Sequence, residues 1–484
     1  MTLTPEEYEA HDATGLAALV RSGQISAAEL FETFVARVDA LNPTLNAVIE
    51  PVFDAARAQI AAGLPDGPFT GVPYLIKNLH APAAGTVLSS GSRFAADTLC
   101  EFDSETVVRL RRAGFVVAGR TNSPEFGMNA STEPDFYGPT HNPWKHGHSA
   151  GGSSGGAAAA VASGMLPATH ATDSGGSIRI PAGWCGLVGL KPTRGRNPTG
   201  PNRGNVAEGV SHEHAVSRTM RDTAAILDAT AGPDVGAPYY APPPPRPFVD
   251  EVGADPGRLK VALMTDSFSG VPVDPVCKEA AEATARLLAD MGHNVEVAAP
   301  RFDGKKMGDA MTVFLLCGLS AQIEAVSATR GRPPQEDEFE PVTWQALQKA
   351  QGYRGIDYAH AVAAFNTEVR SLSRFFVDYD LLLTPTAATP APKLGVLSTR
   401  TDDAMAFMAK VYSLCPFTAP FNGTGQPAIS LPMHWTDDGL PVGVQLVARY
   451  SEDALLLRLA GRLEEAKPWF DRRPRTVEAE PAAA

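Results

Sequence analysis

The chain has 484 residues, 44% of them hydrophobic, which is enough to bury a large core. Its formal net charge of −13, without a dense Lys/Arg block, argues against nucleic acid as a partner. The five cysteines are scattered and form no CxxC pair, no apolar run reaches the roughly 18 residues of a membrane span, and the N-terminus lacks a signal peptide. We therefore expect a cytoplasmic protein that binds neither membrane nor nucleic acid.

The N-terminal part, 1–65, is predicted to be mostly helical. Ser26 and Glu29 have the spacing of a capping box, in which each side chain accepts a hydrogen bond from the other residue's backbone N–H. Apolar residues then recur at helical spacing, and Asn42-Pro43 is predicted to end this helix. We expect this part to serve as scaffold.

Short apolar runs alternate with helical stretches along much of the chain. Gly71–Ile76 is typical of a buried strand, and it closes abruptly at Lys77. A helix from about Ser104 to Arg112 precedes a strand at 115–118, and further strands are predicted at 259–263, 380–383 and 442–446. This alternation predicts the α/β class.

The middle of the chain changes composition sharply. The Pro-rich segment 232–250 is predicted to be a surface connection of polyproline type. Helices are predicted at about 275–292, 307–329 and 343–375, the last with breaks at Gly352 and Gly355. These boundaries suggest a core at about 66–231, a helical insertion at about 275–375, a C-terminal part of the core at 376–470 and a flexible tail at 475–484.

Two glycine–serine loops, Gly151–Gly156 and Asp173–Ser177, lie close together in the sequence with the Ala-rich run Ala157–Ala162 between them. Glycine lets the backbone adopt positive φ and approach a ligand closely. A flexible linker does not usually enclose a helix-forming run. The pattern therefore indicates a functional site rather than a spacer.

One interpretation makes Ser153 the nucleophile of an α/β-hydrolase, because Gly151–Gly155 matches the G-x-S-x-G elbow. That elbow requires a strand directly before it. The preceding segment, 142–148, is polar and interrupted by proline, and we predict it to be a turn. The elbow interpretation is therefore disfavoured.

Neither a nucleotide cofactor nor a metal ion is expected. Gly423–Ala428 imitates a dinucleotide loop, but Ile429–Pro432 after it is predicted to be a strand where a helix is required. Two histidine pairs lack both the i, i+4 spacing and an evident third ligand: His146 with His148, and His212 with His214. We interpret these histidines as loop or packing residues.

A serine nucleophile without a suitable histidine needs another base, and a buried lysine can serve because desolvation lowers its pKa. Lys77 is the candidate, and the alternative is a solvated lysine at a strand end. Asp173–Ser177 offers successive backbone N–H groups that a glycine turn can aim at one point, as an oxyanion hole requires. Together these features favour acyl transfer.

The residues at these positions closely resemble the amidase signature family. The resemblance rests on Lys77 after an apolar strand, on Gly151–Gly156, and on Thr172–Pro181 followed by Gly186–Thr193. It extends over nearly the whole chain. It implies one amidase domain over 1–474, built on a central, mostly mixed β-sheet flanked by helices on both faces, and a serine hydrolase that needs no cofactor.

The resemblance also implies roles for particular residues. Ser177 is the nucleophile, Ser153 is the intermediate serine that follows a cis peptide and relays the proton, and Lys77 is the terminal base. The backbone donors of the oxyanion hole come from Ser174, Gly175, Gly176 and Ser177. Asp173 and Arg179 are expected to form a structural ion pair behind this loop.

Two positions depart from the usual family pattern. Asn78 stands where the family usually has aspartate, and Ala171 where it usually has glycine. Asn78 removes a carboxylate close to Lys77, which is expected to affect the pKa or the support of that lysine. The three catalytic positions are retained, which argues against a non-catalytic binding or scaffold protein.

Within the family, segments such as Thr132–Gly138 and Lys191–Arg196 most resemble the 6-aminohexanoate cyclic dimer hydrolases. This implies hydrolysis of an uncharged, mostly apolar carboxamide through an acyl-Ser177 intermediate. Urethanase or aryl acylamidase activity is the alternative, and the catalytic subunit of a tRNA amidotransferase is a further one.

By position, Gly127, Met128 and Asn129 are expected to border the acyl pocket, and Cys317 its entrance. Core packing is the competing interpretation for Met128 and Cys317. The expected partner is a small amide or carbamate substrate, and a homodimer is the default assembly.

Overall fold

The structure of the protein is a computed structural model that describes residues 3–474, so the expected tail, 475–484, lies outside the described residues. The strands are β1 (Val48–Pro51), β2 (Pro73–Lys77), β3 (Val116–Thr121), β4 (His141–Asn142), β5 (Lys145–Ser149), β6 (Ala168–Asp173), β7 (Val188–Lys191), β8 (His212–Ser217), β9 (Lys260–Leu263), β10 (Asn294–Val297), β11 (Leu381–Pro385), β12 (Ala428–Trp435) and β13 (Pro441–Ala448). The α-helices are α1 (Pro5–Glu9), α2 (Ala13–Arg21), α3 (Ala27–Leu45), α4 (Phe53–Ala62), α5 (Glu105–Arg112), α6 (Gly155–Ala162), α7 (Arg179–Cys185), α8 (Met220–Thr230), α9 (Pro275–Asp290), α10 (Gly304–Arg330), α11 (Pro341–Gln351), α12 (Gly355–Ser373), α13 (Ala404–Leu414), α14 (Ala419–Thr424) and α15 (Asp453–Ala466).

Eight strands form the central sheet, in the order β10-β9-β11-β13-β12-β7-β8-β6. The pairs β10–β9 and β9–β11 are parallel and the other pairs are antiparallel, so the sheet is mixed. Helix α7 packs on strands β7, β12 and β13, while residues of α8, α9 and α15 join the apolar core of the same sheet. The predicted α/β class with a mixed sheet is confirmed.

A second sheet has three strands in the order β1-β3-β2, and β2 lies alongside the edge strand β6 of the central sheet. Side chains supply the hydrogen bonds between them. Thr169 Oγ1 accepts the N–H of Leu75 at 3.2 Å and donates to its carbonyl at 2.6 Å, and His170 Nδ1 accepts the N–H of Lys77 at 3.3 Å. The end of β2 is thereby tied to β6.

Both faces of this second sheet are covered by helices, because successive side chains of β3 pack against different sets of helices. Val116 and Ala118 pack in an apolar cluster with residues of α3 and α6. Val117, which points to the opposite face, packs in a cluster with residues of α2, α5 and α8. This is the period-2 pattern expected of a strand between two helical layers.

The capping box at the start of α3 is confirmed, since Ser26 and Glu29 bond each other's backbone N–H groups. The predicted end at Pro43 is wrong, because α3 continues to Leu45. Pro43 lies in the last turn, and the Asn42 side chain accepts the backbone N–H groups of residues 47 and 48, just beyond the helix, at 2.8 Å. Strand β1 then interrupts the part predicted to be helical.

The turn predicted at 142–148 is also wrong. Strands β4 and β5 form a short antiparallel hairpin here, in which His141 pairs with Ser149. The Asn142 side chain steadies it by donating to the carbonyls of Ser149 and Trp184 at 2.9 and 3.0 Å. The polar composition hid the hairpin because its outer face is solvated. A strand therefore does precede the first glycine–serine loop.

The helices predicted at about 275–292, 307–329 and 343–375 are confirmed as α9, α10 and the pair α11 and α12, which are separated near Gly352 and Gly355. Helix α10 has 27 residues and an 18-residue window of mean hydropathy 1.5, so its length and composition alone would allow it to cross a membrane. It packs against α11, α12 and α14, with Phe314 and Ile323 buried. This packing is that of a helix within a folded protein.

Candidate active site

Lys77, the last residue of β2, is fully buried and its amine contacts two hydroxyls. Its Nζ lies 2.8 Å from Ser153 Oγ and 2.8 Å from Thr172 Oγ1. Burial lowers the pKa of Lys77 to about 7, although the negative charges of Asp173 and Glu213 oppose this shift. An amine of this pKa is substantially neutral near pH 7 and can accept a proton from a hydroxyl.

Ser153 lies in the loop between β5 and α6, it is 2% exposed, and the Gly152–Ser153 peptide is cis. The implied cis bond and the approach of Lys77 to Ser153 are thus both present. Gly127 lies against the serine, since a Cβ at this position would stand 3.3 Å from Ser153 Oγ and 2.6 Å from Leu79 Cδ2. Gly127 also has φ +73°, a backbone conformation that favours glycine.

The hydrogen bonds of Ser153 also test whether it is the nucleophile of an α/β-hydrolase. Within residues 3–474, no histidine ring makes a hydrogen bond to the Ser153 hydroxyl, and its partner is the amine of Lys77. A serine–histidine pair is what that interpretation requires. It therefore fails on the identity of the base, although a strand precedes the motif.

The second loop connects β6, which ends at Asp173, to α7. The Ser177 side chain is partly exposed and its hydroxyl has no hydrogen-bond partner in the described part of the chain. The backbone N–H groups of Ser174, Gly175 and Ser177 are likewise without acceptors among the described residues. The N–H of Gly176 instead donates to Asp173 Oδ1 at 2.7 Å, which corrects the expectation that Gly176 is a free donor.

The loop is built around a buried ion pair. Arg179 donates from Nε and Nη2 to the two carboxylate oxygens of Asp173 at 2.9 and 2.8 Å, and both side chains are fully buried. Asp173 also accepts the N–H groups of Gly176 and Ile178. Burial alone would raise the pKa of Asp173, but the adjacent Arg179 holds it well below its usual range. The expected structural pair is present, and its carboxylate shapes the turn directly.

Gly176 packs closely against Thr418, which fixes the loop from the other side. Gly176 has φ +137°, and an added Cβ would stand 2.3 Å from Thr418 Oγ1. The same hydroxyl donates to the carbonyl of Gly175 at 2.6 Å. The conformation of the turn therefore depends on the absence of a side chain at position 176.

The predicted substrate contacts are only partly brought together. Met128 packs against an apolar cluster whose buried members include Phe94, Phe126 and Phe339, together with Leu316, Leu319 and Ile323 of α10. Asn129 is buried, and its amide donates to the carbonyl of Leu397 at 2.8 Å. Cys317 is half-buried on α10 beside this cluster, and burial raises the pKa of its thiol. Gly127 and Met128 thus lie near Ser153 and α10, whereas the amide of Asn129 is already bonded.

The sequence did not single out Thr172 as a partner of the lysine, or His170 as the acceptor of its backbone N–H. Thr172 was visible only as the residue before Asp173, and no spacing rule connects it with Lys77. Asn78 does not contact the lysine amine: its Nδ2 donates to Ser89 Oγ at 2.6 Å, and its Oδ1 has no partner among residues 3–474.

Comparison with known proteins gives consistent results. The Amidase family profile matches residues 29–457. The 6-aminohexanoate-cyclic-dimer hydrolase of Paenarthrobacter ureafaciens is 41% identical over 480 residues, covering 96% of this chain and 97% of the relative. A solved structure of 6-aminohexanoate cyclic dimer hydrolase complexed with substrate superimposes with a TM-score of 0.91, at 40% identity, over 97% of this chain and 99% of that one. A bacterial aryl acylamidase structure of the amidase signature family has a TM-score of 0.84 at 27% identity, over 95% of this chain and 96% of that one.

Proposed function

The chain belongs to the amidase signature family of amide hydrolases, and we propose that it cleaves an uncharged, mostly apolar carboxamide through an acyl-enzyme on Ser177. The observation that carries this proposal is the buried contact of 2.8 Å between Lys77 Nζ and Ser153 Oγ. A neutral amine beside a hydroxyl can take its proton, and no other base is needed.

In the proposed mechanism, Ser177 Oγ attacks the amide carbon and its proton passes to Ser153 Oγ, while the Ser153 proton passes to Lys77 Nζ. The C–N bond of the tetrahedral intermediate then breaks, and the proton returns through Ser153 to the leaving nitrogen. Water then attacks the Ser177 ester, and its proton passes through Ser153 Oγ to Lys77 Nζ. The C–O bond to Ser177 breaks and the proton returns through Ser153 to Ser177 Oγ, which releases the carboxylic acid and restores the serine.

We propose that the backbone N–H groups of Gly175 and Ser177, with that of Ser174, stabilise the oxyanion of the tetrahedral intermediate. Their lack of acceptors among the described residues supports this assignment. Gly176 has a structural role instead, because its N–H donates to Asp173 and its backbone conformation shapes the turn.

Gly176→Ala is expected to lower kcat by about 10²–10³-fold with little change in KM, because the new Cβ would displace the loop that carries the oxyanion donors. Steady-state kinetics on a small anilide would measure it. Gly175→Ala is the matched control, since a Cβ there meets only Ala419 Cβ at 4.0 Å. Equal losses in the two variants would contradict the role given to Gly176.

We further propose that the substrate is the 6-aminohexanoate cyclic dimer or a related nylon oligomer. The identity of 41% to a hydrolase named for that compound supports this choice. The apolar cluster that contains Phe126 and Met128, the sequence neighbours of Gly127, supports an uncharged ligand, because Gly127 lies against Ser153. Hydrolysis of one ring amide would give a linear product with one ammonium and one carboxylate group.

The substrate proposal predicts that kcat/KM for the cyclic dimer exceeds that for a small dicarbamate or an anilide by at least about tenfold, a difference that pocket fit alone can produce. Amine release from the three compounds, measured with purified protein, would test it. Preference for the dicarbamate would move the protein to the urethanases, and preference for the anilide to the aryl acylamidases. In either case the roles of Ser177, Ser153 and Lys77 would stand.

We also propose that one amidase domain occupies residues 1–474, that the protein is cytoplasmic, and that it forms a homodimer. The family match over 29–457 supports the single domain. The free state of the five cysteines supports a reducing compartment.

A further inference from the structure

The backbone of Lys77 is held by side chains at both of its polar groups. Arg120 Nη1 donates to the Lys77 carbonyl at 3.0 Å, and His170 Nδ1 accepts the Lys77 N–H at 3.3 Å. On that side no main-chain ladder joins β2 to the neighbouring strand β6. The imidazole therefore takes the place of a strand partner at the residue whose amine contacts Ser153.

The contact with Lys77 also determines where the ring proton of His170 lies. Since Nδ1 accepts a hydrogen bond, the proton of the neutral ring is on Nε2. That nitrogen lies 3.5 Å from Glu213 Oε2, and the side chains of His170 and Glu213 are 1% and 11% exposed. The two atoms make no hydrogen bond at this separation, and the negative charge of the carboxylate favours the Nε2–H tautomer by attraction; this is the tautomer that can accept from Lys77.

The strand register explains why these residues meet. Glu213 on β8 is paired directly with Thr172 on β6, and His170 lies two residues before Thr172 on the same face. Thr172 is the second hydroxyl in contact with Lys77 Nζ. Thr172 and His170 of β6 therefore contact the amine and the backbone N–H of Lys77, and Glu213 of the adjacent strand β8 lies beside both of them.

We propose that His170 and Glu213 form a positioning pair for Lys77, in which His170 fixes the backbone of the lysine and Glu213 holds the ring of His170 in the accepting tautomer. The pair rests on the proposed function, since it acts on the base of that reaction. It touches no reacting atom, and its effect is to keep Lys77 Nζ within reach of Ser153.

Glu213 has a second effect, through its charge. The charged and titratable groups that face Lys77 come from four elements: Asp173 and His170 on β6, Glu213 on β8, Arg120 on β3 and His80 after β2. The negative charge of Glu213 stabilises protonated Lys77 and so raises the pKa of that lysine. Glu213→Gln removes this charge with little change of shape, so Lys77 becomes neutral at lower pH.

The first test compares His170→Asn with His170→Leu. Asn Oδ1 stands where Nδ1 stood and can still accept the Lys77 N–H, whereas leucine cannot. We expect His170→Leu to lower kcat by about 10²-fold with KM nearly unchanged, because a small misplacement of a catalytic group has an effect of this size. His170→Asn should retain most of kcat. Equal kinetics of the two variants, whether impaired or intact, would overturn the positioning role.

The second test remains informative if His170→Leu does not fold. The acid limb of kcat/KM should move to lower pH in Glu213→Gln and stay in place in Glu296→Gln, a control that removes a carboxylate from the far edge strand β10. An unmoved limb in Glu213→Gln would show that the charge of Glu213 does not act on Lys77 and would overturn that part of the proposal. Ser177→Ala is measured alongside: if it keeps its activity, the proposed function fails, whereas its loss together with unaltered pair variants would refute the pair alone.

Discussion

Ser177→Ala is expected to lower kcat/KM for amide hydrolysis by at least about 10⁴-fold while leaving the folded protein intact, because it removes the attacking atom. The hydroxyl has no hydrogen-bond partner among the described residues, so its loss leaves no buried group unsatisfied. Turnover of the cyclic dimer and of an anilide, with thermal unfolding of the same samples, would measure both parts of the expectation.

The matched control for this variant is Ser174→Ala in the same loop. Its hydroxyl donates to Ser211 Oγ at 3.0 Å, and alanine keeps the backbone N–H that we assign to the oxyanion hole. We expect most activity to remain. A fluorophosphonate should label Ser177 in the wild-type protein and give no adduct in Ser177→Ala. Labelling of Ser153, or substantial turnover by Ser177→Ala, would show that the nucleophile has been misassigned.

Lys77→Met is expected to lower kcat/KM by at least about 10³-fold, because it removes the terminal base but fills the buried site with an apolar chain of similar length. Lys77→Arg should be similarly inactive, since a guanidinium stays charged and cannot accept a proton. Lys145→Met, at an exposed lysine paired with Asp438, is the control and should be unaffected. Activity of Lys77→Arg close to that of the wild type would rule out a base at this position.

The pH profile of the wild-type enzyme gives an independent measure of the pKa of Lys77. The reaction needs neutral Lys77, whose pKa burial lowers to about 7. The neutral form predominates above the pKa, so kcat/KM should rise as pH increases through about 7 and level off above it. A profile that stays flat from pH 5 to about 9 would show that Lys77 does not titrate in the active range.

Much of this arrangement could be predicted from local sequence. Two local patterns predict elements that the structure contains. One is the short apolar run that ends in Lys77, and the other is the pair of glycine–serine loops around a helix-forming run. The pair of Lys77 and Ser153 was a prediction that the structure brings together at 2.8 Å. The roles of these residues in turnover stay predictions until the variants are measured.

The remaining features depend on register and on tertiary packing. Thr172 and His170 meet Lys77 because β2 lies beside β6, and no pattern within either strand indicates that neighbour. The N–H of Gly176 is taken by a carboxylate three residues earlier, which depends on the shape of the turn and not on its composition. The hairpin before Ser153 was missed because its strands are short and polar, so they lack the alternation that marks a half-buried strand.

The side-chain hydrogen bonds between β2 and β6 place the active site on a seam between two separately paired sheets. Lys77 arrives from one sheet, and Thr172 with the loop that holds Ser177 arrives from the other. The main-chain ladder of each sheet does not include the other sheet, so intact ladders alone do not bring Lys77 to Thr172. We therefore expect turnover to report the docking of the two sheets more sensitively than a measure of helix or strand content does.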